Sequence, residues 1–114
     1  MSLKTDLQAE ASNKYLDDNG PWRQFIIDHI PLIQANSKTV YPDGTIMQKY
    51  RYNVQWYMSY NIVTTSIGWI FLLINDLASE RDFYKSQVYY MPSDTYIDDL
   101  YHLFITTTSN LTGS

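Results

Sequence analysis

Residues 68–76 read GWIFLLIND, the most apolar stretch of the chain, and charge follows at once in LASERDF. A helix that is hydrophobic nearly all round is buried on several sides. About eight apolar residues fall far short of the roughly twenty that cross a bilayer. The block is therefore read as a core helix over Ile67–Leu77, entered through Thr65 or Ser66 as a cap. Asn75 and Asp76 mark its wet end, where an Asn side chain can satisfy loose backbone groups of the following loop.

The other segments are arranged around that helix. Leu3, Leu7, Ala11, Tyr15 and Leu16 form one thin helical stripe on a polar segment, too narrow for a large core contact. DNGP breaks it, Pro21 opens a second helix over 21–29, and Trp22, Phe25, Ile26 and Ile30 share a face of it. Pro31 is expected to end it. The turn signal YPDG at 41–44 predicts a hairpin of 38–41 with 45–51.

From Ile46 to Ile62 the even positions are mostly apolar and the odd ones mostly polar, as in a strand. Seventeen residues is, however, far longer than the usual strand of about five or six. Val54, Tyr57, Met58 and Asn61 also share a helical face, with Asn53 placed to cap it. The pattern leaves both readings open. Further on, QVYYMPS reads as a short strand, and Ser93 caps a last helix with Ile97, Leu100, Tyr101 and Phe104. TTTSNLTGS lacks apolar periodicity and is expected to be a flexible tail.

A chain of 114 residues is expected to form one domain. Its net charge is −4, and no Lys or Arg run exceeds one residue, which argues against nucleic-acid binding. The absence of cysteine removes thiolate nucleophiles and sulfur metal sites. MSLKTDLQAEASNKY does not read as a secretory signal. Eleven Tyr, with three Trp and four Phe, suit surfaces buried against a partner with one edge left wet. An AT-rich genome would favour Tyr codons as well.

The inventory for chemistry is thin. His29 suits a helix C-terminus. His102 follows Asp98 and Asp99 at ion-pair spacing, and neither His has metal-ligand spacing with a third group. There is no GxSxG elbow and no glycine-rich phosphate loop. The chain is read as a non-enzyme without metal or cofactor.

Between residues 49 and 98 the order is distinctive. Arg51 precedes VQWYMSYN. WIFLLIND then opens on Trp69 and closes on Asn75. An acidic loop ends on Phe83, and a strand ends on Met91, Pro92 and Ser93. This order resembles the LysM-like module of the baseplate wedge family of contractile-tailed bacteriophages. The chain departs from it at Asn61 and at Lys85-Ser86, where the family often has Gly, and at Ile70, where it often has Trp.

The resemblance implies a small α+β fold. A strand–helix–helix–strand core would hold a strand at 45–51 and a helix at 53–60, with additional N-terminal and C-terminal helices. Val54, Trp56 or Tyr57, Met58, Trp69, Leu73 and Met91 would fill that core. Residues 1–37 would be a helical arm, 38–105 the core with its closing helix, and 106–114 the tail. The implied function is that of a virion structural protein in the tail baseplate, made in the host cytoplasm. Several copies would bind other baseplate and tail proteins (wedge, hub or sheath), without nucleic acid or membrane. Leu3, Leu7, Tyr15, Trp22, Phe25 and Tyr84 are the expected partner contacts. The alternative is a LysM-type module that stacks cell-wall glycan on Tyr57, Tyr84 or Tyr89.

Overall fold

A computed structural model describes residues 20–113, with side chains through residue 107. Within that range the chain is a mixed α+β fold of six α-helices and one two-stranded antiparallel sheet. The stripe of Leu3, Leu7, Tyr15 and Leu16 lies outside the described residues.

Helix α1 (Gly20–Asp28) starts with Pro21 in its first turn, where the missing N–H has no helical partner to lose. The His29 ring closes its end, with Nδ1 2.6 Å from the Phe25 carbonyl oxygen. The expected stop at Pro31 is instead a restart. Helix α2 (Ile30–Ala35) carries this proline in its own first turn. Trp22, Ile26 and Ile33 are all buried in the common core, so residues 20–37 belong to the fold rather than to an arm.

The expected hairpin at YPDG does not form. Strand β1 (Lys38–Val40) pairs with β2 (Tyr89–Met91), with Lys38 opposite Met91 and Val40 opposite Tyr89. The segment read as the returning strand is helix α3 (Gly44–Tyr50). Asp43 is its N-cap, accepting the Ile46 N–H at 2.9 Å. An aspartate ahead of a glycine serves a turn or a helix start equally, and here the buried spacing of Met47 and Tyr50 favours the helix.

The open choice at 53–62 falls to helix. Asn53 accepts the Trp56 N–H at 3.1 Å and starts α4 (Val54–Tyr60). A 3-10 turn (Thr65–Ile67) leads into α5 (Gly68–Ile74), which is shorter than expected and makes no side-chain cap bond at either candidate, Thr65 or Ser66. A second 3-10 turn (Glu80–Asp82) precedes β2. Ser93 then caps α6 (Asp94–Gly113), its Oγ accepting the Tyr96 N–H at 3.3 Å. The helix runs on to Gly113, through most of the stretch read as a tail.

Helices α4 and α5 end in the same way. Val63 N–H bonds Met58 O and Ile62 N–H bonds Ser59 O; Leu77 N–H bonds Leu72 O and Asp76 N–H bonds Leu73 O. These are paired Schellman closures. The left-handed position that glycine usually takes is filled by Ile62 (φ 60°) and Asp76 (φ 55°). Tyr52 (φ 63°) takes the equivalent place in the turn after α3, with Asn53 N–H bonded to Tyr50 O.

The core gathers all these elements around α5. Ile70, Phe71 and Ile74 are buried, and Phe71 meets Phe83 edge-on with centroids 5.7 Å apart. Val54, Tyr57, Met58 and Met91 are buried as expected. Trp69 and Leu73 are only partly buried, and Trp56 faces solvent.

Candidate functional site

No charged side chain is buried among the described residues, and large aromatic side chains stand on the surface. Its most unusual part is built on α4. The helix turns Val54, Tyr57 and Met58 inward, which sends Trp56 and Tyr60, four residues apart, outward. They are 64% and 55% exposed, and Ile62 beyond them is 90% exposed. Tyr60 is not isolated: its ring lies 5.2 Å from Tyr50 and 6.1 Å from Tyr57, so three tyrosines bridge core and surface.

A second aromatic pair flanks the turn after α3. Tyr52 and Tyr84 are 6.2 Å apart, with Arg51 5.8 Å from the Tyr52 ring and Lys85 5.8 Å from the Tyr84 ring. Tyr52 is held there by its N–H, which donates to Phe83 O at 2.8 Å. These rings are rigid, amphipathic and largely solvated, which is the chemistry of interface anchors.

The residues singled out from the sequence divide into two groups. Phe83 and Met91 are fully buried and Pro92 is buried; they are core. Asn75 is a structural clamp: Nδ2 donates to Phe71 O at 2.8 Å and Tyr90 O at 2.9 Å, while Oδ1 accepts the Tyr90 N–H at 2.7 Å. It thereby ties the end of α5 to the outer edge of β2. Arg51 is exposed at a turn, and Trp69 is half-buried with the Arg23 guanidinium 5.9 Å from its ring.

One expected partner contact is corrected. Trp22 is fully buried, 5.1 Å from Tyr101 and 5.5 Å from Phe104, because α6 covers the face that the sequence left open. Phe25 is partly buried between Trp22 and His29. Tyr84 is exposed, as a contact residue should be, whereas Leu3, Leu7 and Tyr15 lie outside the described residues. Of the tyrosines suited to sugar stacking, Tyr57 and Tyr89 are buried, which leaves Tyr84.

Burial raises the phenol pKa of both Tyr57 and Tyr89 above 10.0, and Tyr89 Oη donates to Lys85 O at 2.8 Å. Asp98 and His102 stand 3.6 Å apart on the exposed face of α6. Among the described residues no three His, Asp or Glu converge as metal ligands, and no helix is long and apolar enough to cross a membrane.

Sequence reasoning missed three long-range polar ties. Gln34 Nε2 donates to Ile74 O at 2.8 Å, Glu80 Oε1 accepts the Val54 N–H at 3.1 Å, and the Asp94 carboxylate accepts the Thr64 hydroxyl at 3.0 Å. Each joins segments 26 to 40 residues apart in the chain, a separation at which no local pattern signals a partner. No protein-family model, curated protein or solved structure matches the chain.

Proposed function

We propose that the protein is a structural component of a phage contractile-tail baseplate and acts by binding neighbouring tail proteins. The observation that carries the binding part of this reading is the outward face of α4 and the turn that closes it, where Trp56, Tyr60 and Ile62 are solvated while the helix's other side fills the core. Large exposed apolar side chains grouped on one element mark interaction surfaces. Trp and Tyr are also the residue types that most often dominate binding energy. The baseplate assignment rests on the order of Arg51, Trp69, Asn75, Phe83 and Met91-Pro92-Ser93.

The test is sedimentation of the purified chain, alone and mixed with contractile-tail sheath, tube and spike proteins. A monomer that joins one of these proteins is expected. Trp56→Ala with Tyr60→Ala should weaken that association at least tenfold and leave the circular dichroism unchanged. Retention of the lone chain on peptidoglycan, with no association to any tail protein, would favour the glycan reading instead.

A further inference from the structure

Between the start of α4, the 3-10 turn before α5 and the first turns of α5 lies a cleft of about 330 Å³. Val54, Leu72 and Trp69 make its apolar side, and Gln55, Thr65, Ser66 and Glu80 its polar side. Among the described residues no Lys or Arg lines it, and Glu80 is the one ionisable group there. One carboxylate oxygen, Oε1, accepts the Val54 N–H. Oε2 takes no hydrogen bond among the described residues. Ser66 Oγ is buried and has no hydrogen-bond partner among the described residues, although a buried hydroxyl normally finds one. A carboxylate oxygen without a partner, beside an apolar trough, can accept a hydrogen bond from a cation.

We propose that this cleft takes a lysine side chain of a partner protein, its methylene stem on Val54, Leu72 and Trp69 and its ammonium at Glu80 Oε2. Lysine suits the shape because its long apolar stem ends in a compact charge with three donors. The Trp69 ring adds attraction to a cation, and the Arg23 guanidinium already approaches that ring to 5.9 Å without lining the cleft. The net charge of −4 favours a basic partner in the same direction.

This inference rests on the protein-binding reading above, and its test is separate. The intact chain is titrated with Nα-acetyl-lysine methylamide and with the norleucine analogue, which keeps an apolar chain and lacks the charge. Shifts of the Trp69 indole and of the Gln55 and Ser66 amides are followed by NMR. The lysine amide should bind at these positions about fivefold more tightly than the norleucine amide. Added salt should weaken the first and not the second.

Glu80→Gln keeps an oxygen for the Val54 N–H while removing the charge, so the fold is preserved and the fivefold difference should vanish. Equal binding of both amides overturns the proposal. So does a lysine preference that survives in E80Q, or a neutral N-acetylglucosamine oligomer that takes the cleft instead. Failure here removes the lysine site; failure to join any tail protein in sedimentation removes the underlying reading.

Discussion

Ile62 holds a left-handed backbone at φ 60° while its side chain is 90% exposed. For an L-residue that geometry costs about 1–2 kcal/mol, because Cβ crowds the following carbonyl oxygen. A β-branched residue stands at the upper end of the range, since it is a genuine outlier there. Glycine removes this cost, but it adds freedom to the unfolded chain worth about 0.4–1 kcal/mol. The side chain buries almost nothing, so little hydrophobic stabilisation is lost with it. Ile62→Gly is therefore expected to stabilise the fold by about 1 kcal/mol, or to raise Tm by about 4–8 °C for a domain of this size.

Urea unfolding followed by tryptophan fluorescence and by circular dichroism measures the change. Ile62→Ala keeps Cβ and should recover less than half of the gain. If the glycine variant is no more stable with its helical content intact, position 62 carries no strain. If alanine does as well as glycine, the benefit comes from removing an exposed side chain and not from the backbone. Under the binding reading, the stabilised glycine variant should also associate less well, because it gives up a contact residue.

Asn75→Ala leaves the Tyr90 N–H and C=O to water, so a loss of about 0.5–1.5 kcal/mol is expected in the same unfolding assay. Trp22→Ala should cost about 3–5 kcal/mol as a fully buried residue, and Trp69→Ala about half as much. Equal losses at the two would contradict the burial difference between them. Because Tyr57 and Tyr89 ionise above 10.0 in the fold, the folded state holds their protons longer than the unfolded one. Their contribution to stability is complete below 10.0 and is lost as pH rises toward the higher folded values. Spectrophotometric titration should show two late phenols, and Tyr89→Phe should remove one of them.

The elements legible in the sequence were those whose signals agree at every level. Pro21 with Trp22 and Ile26 marked α1, Ser93 with Ile97 and Leu100 marked α6, and GWIFLLI marked the buried α5. The ambiguity from Ile46 to Ile62 has a specific cause. Along its even positions, Tyr50, Val54 and Met58 are buried while Tyr52, Trp56, Tyr60 and Ile62 are exposed. The apparent strand was a buried set at near-helical spacing interleaved with outward-facing aromatics. Counting Tyr and Trp as inward residues erased that difference, although either can sit at a wet surface.

Strand β1 was placed correctly but given the wrong partner, because pairing Val40 with Tyr89 is a contact that no turn motif encodes. Trp22 was read as a docking residue because the sequence does not reveal that the chain supplies its own cover through Tyr101 and Phe104. The exposed face of α4 was hidden by the same ambiguity until Val54, Tyr57 and Met58 fixed which way the helix is turned.

The carboxamide of Asn75 offers one donor and one acceptor to Tyr90, as the backbone of a third strand would. On that flank the ribbon is already capped by a side chain only one residue wide. A foreign peptide in extended form would find no free rung there, and neither would a second copy of the chain. Sheet growth, the simplest route from crowded protomers to fibres, is closed on the β2 side.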